Sequence, residues 1–164
     1  MKKLLVLITA FVFSNMIFAQ KDVTEFMGIP VDGSLTSVVE KLKLKGFKLI
    51  EKDSDAAAFN GIFNGKDATL LVQTNERTNK VYLIGVMYEE VSESFIKETL
   101  SQFKNKDSYE CVDTRDHTTV FYQKRKMKDG FDENKRVVVG YTKKKLLIFY
   151  ENIYNKPKSD GDDL

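Results

Sequence analysis

Cysteine, histidine, tryptophan and proline are scarce in this chain of 164 residues, which has one, one, none and two of them. A single cysteine excludes an intramolecular disulfide, and we expect Cys111 to be a small buried residue of a strand. One cysteine and one histidine are too few for the usual zinc sites. The lack of tryptophan argues against a flat platform that stacks on sugars. The sequence therefore predicts neither a metal site nor a bound cofactor.

Long apolar runs are also scarce, and the clearest one lies at the N-terminus. Lysines at 2–3 precede the uncharged run 4–13 (LLVLITAFVF), and the small residue Ala19 closes the segment. This layout is typical of a secretory signal peptide cleaved after Ala19. A membrane anchor, the alternative, needs about 20 apolar residues, and the run breaks after residue 13. We therefore predict a signal peptide over 1–19, a periplasmic or secreted protein, and no stable membrane insertion after cleavage.

An excess of charge of one sign is missing from the mature chain. Cleavage removes two lysines, so that Lys plus Arg falls from 26 to 24 and equals the 24 Asp plus Glu. A neutral chain has no general attraction to nucleic acid or anionic membranes, and we expect no nucleic-acid partner after export. The 145 residues that remain suit one domain or two small packed repeats.

Two segments have the apolar spacing of an amphipathic helix. Each begins at a serine that is suited to N-capping, Ser34 in the first and Ser92 in the second. The apolar positions are Leu35, Val38, Val39 and Leu42 in the first helix and Ile96, Leu100 and Phe103 in the second. Gly46 marks the end of the first helix.

Eight further segments are rich in β-branched and aromatic residues, which predicts strands. They are 47–52, 57–63, 67–74, 81–88, 108–113, 118–124, 135–142 and 145–153. Asn64-Gly65 predicts a type I′ hairpin turn. The segment 81–88 is apolar on both sides, which predicts a central strand that is covered on both faces. The polar residues 155–164 predict a disordered tail.

The order of these elements is helix, four strands, helix, four strands. It predicts two tandem αββββ repeats over 20–90 and 91–154, and both fourth strands end in Tyr-Glu, at Tyr88 and Tyr150. Short turns between consecutive strands predict antiparallel pairing, and each helix must cover a sheet face. The predicted fold class is α+β, with an antiparallel sheet that carries both helices on one face and leaves the other face open.

This order resembles the β-lactamase-inhibitor-protein-like architecture, in which two repeats form an extended curved sheet. The segment 26–34 (FMGIPVDGS), with Lys45-Gly46-Phe47 after the helix, is similar to the opening of small, uncharacterised exported proteins of Gram-negative bacteria of the Bacteroidota type. The signal ending Phe18-Ala19-Gln20 is also common in those proteins. Inhibitor proteins of this architecture grip an enzyme with the exposed sheet face. They hold their fold with disulfides, which one cysteine cannot supply.

No set of catalytic residues emerges from the chain. The densest cluster of possible ligands is 110–117 (ECVDTRDH), where we expect Cys111 and Asp113 to share a strand face and His117 to lie in the following turn. A polar hairpin turn is the interpretation that these residue types favour. A small exported hydrolase that uses His117 or acidic residues is an alternative, and it requires a deep pocket beside His117 or two converging carboxylates.

Two segments are locally basic, 124–128 (KRKMK) and 143–145 (KKK). Solvated turn charge that keeps sheet edges from pairing is the interpretation that they favour, and one positive rim at the strand ends is the alternative. Such a rim would suit an envelope-assembly or structural protein, which is a second alternative.

The leading hypothesis is an exported, non-catalytic binding module that grips an unknown protein or peptide with the open sheet face. Tyrosines on such a face are good anchors for a protein contact. The predicted contact residues are Tyr88, Tyr122, Tyr141 and Tyr150.

Overall fold

The computed structural model describes residues 24–124 and 130–158. The predicted signal peptide, most of the basic segment 124–128 and the end of the polar tail lie outside the described residues. The described chain begins with a short hairpin of β1 (Glu25–Phe26) and β2 (Ile29–Pro30). Two helices follow at separate points of the chain, α1 (Leu35–Leu44) and α2 (Glu93–Lys104).

Both helices begin at the predicted serine caps. The Ser34 side chain accepts a hydrogen bond from the Ser37 backbone N–H, and Ser92 accepts one from Phe95, both at 3.3 Å. These bonds satisfy backbone donors that the first turn of a helix leaves unpaired. The buried helix residues are Leu35, Val38, Val39 and Leu42 in α1 and Ile96, Thr99 and Phe103 in α2. The predicted apolar stripes therefore face the interior, with Leu100 partly buried beside them.

The remaining strands form one antiparallel sheet of eight, in the order β3-β4-β5-β6-β10-β9-β8-β7. They are β3 (Lys48–Lys52), β4 (Ala56–Phe63), β5 (Lys66–Asn75), β6 (Lys80–Tyr88), β7 (Tyr109–Arg115), β8 (Thr118–Lys124), β9 (Phe131–Tyr141) and β10 (Leu146–Asn152). Two four-stranded meanders meet at the central pair β6 and β10, and β3 and β7 are the edges of the sheet. The predicted α+β class with an antiparallel sheet is confirmed.

Two hairpin turns use consecutive residues with positive φ. Asn64 and Gly65, at 50° and 73°, join β4 to β5 as a type I′ turn requires. Asp116 and His117, at 39° and 67°, join β7 to β8 without a glycine. Asp and His tolerate this backbone region better than most residues. The turn position of His117 is therefore confirmed.

Both helices pack against the same face of the sheet. Phe47, which follows α1, lies over Gly61 of β4. On α2, Phe95 packs on Tyr88, and Phe103 packs on Phe121 and Tyr150, with ring centroids 5.2–6.1 Å apart. The strand pairings place Gly61, Tyr88, Phe121 and Tyr150 on one side of the pleat. We call this side the helix-side face and the opposite side the open face.

The N-terminal hairpin completes the core on the helix-side face. The Phe26 ring is fully buried and lies 5.0–6.2 Å from the rings of Phe47, Phe63 and Tyr150. The Thr24 hydroxyl donates to the Glu151 carbonyl at 2.9 Å, which ties the hairpin to β10. Phe26 therefore links residues of both meanders in one cluster.

Strand β6 is central, but it is covered on one face only. Val81, Ile84, Val86 and Tyr88 are buried on the helix-side face, whereas Met87 on the open face is 36% exposed. The expectation that this strand is covered on both faces is wrong. The apolar residues that suggested it belong to a sheet face against which no described element packs.

The polar tail begins in an ordered 3-10 turn (Ile153–Asn155). The Asn155 side-chain amide donates to Asp32 Oδ1 at 3.2 Å and to the Val81 carbonyl at 3.0 Å. Asn75 in turn donates to the Asn155 carbonyl at 3.1 Å. The prediction of a disordered tail that starts at residue 155 is therefore wrong at Asn155.

Candidate functional site

Two of the four predicted contact tyrosines are core residues. Tyr88 is 1% exposed and Tyr150 is 5% exposed. In the β6–β10 register, Tyr88 pairs with Leu146 and Tyr150 with Ile84, all on the helix-side face. The placement of Tyr88 and Tyr150 on the open face is wrong, because their side chains alternate toward the helices. Burial raises the pKa of both hydroxyls well above the usual value for tyrosine.

The other two tyrosines lie on different faces. Tyr141 pairs with Leu146 on the helix-side face, and its ring contacts His117 edge-on at 5.2 Å. Tyr122 pairs with Arg136 on the open face and stacks on Phe131 at 5.1 Å. Among the predicted contact residues, Tyr122 alone lies on the open face, and Tyr141 lies elsewhere on the surface.

The most distinctive feature of the open face is a row of apolar residues that crosses six strands. Each residue is the register partner of the next, from β4 through the central pair to β8. The row consists of Ala58, Leu71, Gly85, Phe149, Val138 and Val120. Glu51 and Asp113 end it on the two edge strands. We call these six residues the apolar row, and they place no charge on the middle of the face.

The centre of the apolar row contains a glycine, Gly85, that is covered by an aromatic ring. The Phe149 ring lies over Gly85, where an added Cβ atom would come within 3.2 Å of its Cδ1 atom. An aromatic ring that covers a cross-strand glycine fills the gap that the missing side chain leaves. Leu71 remains 39% exposed in the row, and Met87 remains 36% exposed beside it. Single exposed apolar residues are common, whereas a contiguous set is not.

Three pairs of oppositely charged side chains lie near the apolar row. Arg136 and Glu151 are cross-strand partners and form an ion pair. Lys145 lies 2.9 Å from Glu89 at one end of the central strands. At the edge, Arg115 lies 3.1 Å from Asp113. The rim is therefore polar, with its charges neutralised at these three places, and the middle of the face is apolar.

A second tyrosine hydroxyl near this rim belongs to Tyr82, which the sequence analysis does not include among the contact residues. Its hydroxyl donates to the Gln73 side chain at 3.0 Å. Partial burial raises the pKa of Tyr82, and the charges of Asp55 and Glu151 raise it further. The hydroxyl of Tyr82 therefore stays protonated and remains a donor over the whole physiological range.

Sequence reasoning also missed every member of the apolar row. One signal was present, since the segment 81–88 is apolar on both sides. In a sheet with helices on a single face, that pattern indicates exposed apolar residues on the other face. That Leu71, Val138 and Phe149 lie on the same face can be inferred from this signal only when the strand register is known.

The ligand-rich segment 110–117 does not bring its side chains together. Cys111 pairs with Phe121 and Asp113 with Val120, so that a bulge at Val112 puts them on opposite faces. The expectation that Cys111 and Asp113 share a face is therefore wrong. Cys111 is also exposed rather than buried, because β7 is an edge strand. In the described part of the chain, no three His, Cys, Asp or Glu residues are placed to hold a metal ion.

A cavity of about 670 Å³ lies beside His117, between α2 and the β9–β10 turn. The hydrolase alternative requires a pocket at this place. Glu93 is the one carboxylate among its lining residues and forms an ion pair with Lys97 at 2.8 Å. The hydrogen bond from Lys97 lowers the pKa of Glu93. The pocket is present, but its lining does not supply a converging carboxylate pair, and the hydrolase stays a prediction.

The basic segments do not form one rim in the described part of the chain. Lys124 pairs with Phe131 at one end of β9, whereas residues 143–145 follow the other end. The 11 residues of this strand span roughly 35 Å at the usual rise per residue. Residues 125–128 lie outside the described chain.

No family model, curated protein or solved structure matches this chain. Among the residues that the structure describes, no helix is both long and apolar enough to span a membrane.

Proposed function

We propose that this protein is an exported, non-catalytic binding module that grips a protein or peptide with the open face of its sheet. The observation that carries the proposal is the apolar row, which crosses six strands without a charge. Export rests on the signal-like segment 1–19. The compartment is the periplasm or the external medium.

The chemistry of the open face matches that of a protein-binding surface. Interfaces combine an apolar centre that loses water on binding with a polar, solvated rim. Tyr122 and Tyr82 lie near the edge of the apolar centre, where an aromatic ring and a hydroxyl both gain partners. Because rim charges such as Arg136 and Glu151 are already paired, the face suits a largely uncharged partner segment.

We further propose that the fold consists of two tandem αββββ repeats, 20–90 and 91–154. The register of the central pair supports this. With an offset of 62 residues between the halves, Tyr88 corresponds to Tyr150 and Ile84 corresponds to Leu146. The pair Tyr88–Leu146 then corresponds to the pair Tyr150–Ile84, and the pair Val86–Ile148 between them corresponds to itself. The bulges on the edge strands have the same offset, since Leu49 and Glu51 of β3 correspond to Cys111 and Asp113 of β7. The two halves would therefore be related by a twofold axis through the pair Val86–Ile148.

A photo-crosslinking experiment tests the binding proposal. The full-length chain is expressed in a Gram-negative host of the Bacteroidota type with p-benzoylphenylalanine in place of Leu71 on the open face. The same amino acid replaces Leu44, which is 87% exposed at the end of α1, in the control. We expect irradiation to give a discrete adduct from position 71 and not from position 44, identified by mass spectrometry.

The second arm asks whether the adduct depends on the whole face. Val138→Arg places a charge in the apolar row, in the other meander from Leu71. We expect this change to remove the adduct while circular dichroism shows an unchanged fold. Equal adducts from positions 71 and 44, or an adduct that survives Val138→Arg, would exclude the open face as the binding surface.

A further inference from the structure

The cavity beside His117 lies on the helix-side face, away from the apolar row. One wall is the exposed flank of α2, and the opposite wall is the turn between β9 and β10. The Val91 N–H donates to the Lys144 carbonyl at 2.7 Å, which fixes the start of α2 to that turn. The turn itself is held by Thr142, whose hydroxyl accepts the N–H of Lys145 at 3.1 Å. A backbone hydrogen bond therefore joins the two walls of the cavity.

The cavity has an apolar floor and a cationic rim. Ile96, Leu100 and Tyr141 contribute apolar surface, and the Tyr141 ring is oriented by its edge-on contact with His117. Lys97 and Lys143 line the rim. Glu93 neutralises Lys97, whereas Lys143 forms no ion pair with a described residue. Lys143 is therefore the cation that a ligand in the cavity would meet.

From this geometry we infer a second binding site, which takes a single-chain amphiphile with an anionic head, such as a fatty-acid carboxylate. The apolar chain lies against Ile96, Leu100 and Tyr141, and the carboxylate lies toward Lys143. The volume of about 670 Å³ is within the usual range for small-molecule sites, which are mostly apolar with a few placed polar groups. This site does not depend on the open face, so either proposal can fail without the other.

The test is isothermal titration of the mature chain with dodecanoate below its micellar concentration, with dodecan-1-ol as the neutral analogue. We expect one site for dodecanoate and weaker binding of the alcohol. Lys143→Glu removes an exposed charge pair, which is worth up to about fivefold in affinity, and adds a repulsion between like charges. We therefore expect it to weaken dodecanoate binding about fivefold or more. Lys144→Glu changes the neighbouring exposed lysine, which does not line the cavity, and should have a smaller effect.

Two further variants separate this site from other apolar surfaces. Leu100→Gln should weaken the binding of both probes, and thermal melting reports whether this variant folds. Lys143→Glu on the solvent-exposed turn keeps the test decisive if Leu100→Gln does not fold. Val138→Arg on the open face should leave dodecanoate binding unchanged. Absence of binding, equal affinity for the alcohol, equal effects at Lys143 and Lys144, or loss of binding in Val138→Arg would each overturn the assignment.

Discussion

Replacing Tyr150 with alanine is expected to lower the free energy of unfolding by about 3–5 kcal/mol, as is typical when a large buried aromatic side chain is removed. Tyr150 is 5% exposed, and its ring lies 5.2 Å from Phe26 and 6.1 Å from Phe103. These rings belong to the N-terminal hairpin and to α2. The substitution would therefore leave a cavity where three parts of the chain meet. Urea denaturation followed by circular dichroism measures the change.

The matched control is Tyr122→Ala on the open face. Tyr122 stacks on Phe131, and removal of such a partly exposed aromatic pair costs about 1 kcal/mol. A third variant, Tyr150→Phe, keeps the ring and should retain most of the stability. If Tyr150→Ala costs no more than Tyr122→Ala, the assignment of Tyr150 to the core is incorrect.

Above pH 10 the free energy of unfolding is expected to fall steeply, by up to about 4 kcal/mol per pH unit. Burial raises the pKa of Tyr88, Tyr109 and Tyr150, with the nearby Glu25 adding to the effect at Tyr109, whose pKa rises to about 12. In the unfolded chain these hydroxyls lose their protons near pH 10. The unfolded state then holds fewer protons than the folded state, so that rising pH favours unfolding.

The pH window follows from those values. Below pH 10 all three tyrosines are protonated in both states and the stability is unaffected. Between pH 10 and about 12 each contributes about 1.4 kcal/mol per pH unit, and above about 12 Tyr109 ionises in the folded state as well. Together the three hydroxyls lower the free energy of unfolding by up to about 8 kcal/mol over this window. Domains of this size are stable by roughly 5–15 kcal/mol, so we expect most of the stability to be lost by about pH 12. The absorbance of tyrosinate and circular dichroism should change together.

Substitution separates this mechanism from general alkaline damage. Tyr109→Phe should reduce the slope between pH 10 and 12 by about 1.4 kcal/mol per pH unit. Phe103→Leu removes packing beside Tyr109 and Tyr150 but no ionisable group, and should lower the stability equally at every pH. Equal slopes in the wild type and Tyr109→Phe would contradict the burial of that hydroxyl.

The local elements of the fold could be read from the sequence because their signals are local. Ser34 and Ser92 cap the two helices through contacts three residues ahead. Asn64-Gly65 forms the expected turn through its own backbone preference. The eight strands lie within a few residues of the segments that β-prone composition indicates, apart from the earlier start of β9 at Phe131.

The side of the sheet on which each residue lies could not be read in the same way. Strand β6 is apolar at both alternate positions, so its sequence does not tell which face the helices cover. The prediction that Tyr88 lies on the open face is therefore wrong, and the pairing of β10 with β6 puts Tyr150 on the same face as Tyr88. At the edge of the sheet, the bulge at Val112 reversed the sides of Cys111 and Asp113, and no residue there signals an insertion.

The candidate site depends on long-range pairing, which local patterns do not encode. The apolar row exists because β6 pairs with β10, two strands that are more than 50 residues apart in sequence. Only then do Gly85 and Phe149 become neighbours, and only then do Leu71 and Val138 lie on one surface. The sequence predicted an open face but none of these four residues.

Two methionines of nearly equal exposure offer the most direct test of the open face. Met87 lies beside the apolar row and is 36% exposed, and Met27 lies in the β1–β2 turn and is 38% exposed. A brief peroxide pulse is applied to the purified protein and to cells that express it, and mass spectrometry gives the oxidation of each methionine. If a partner covers the open face, oxidation of Met87 relative to Met27 falls in cells. An unchanged ratio would contradict the account.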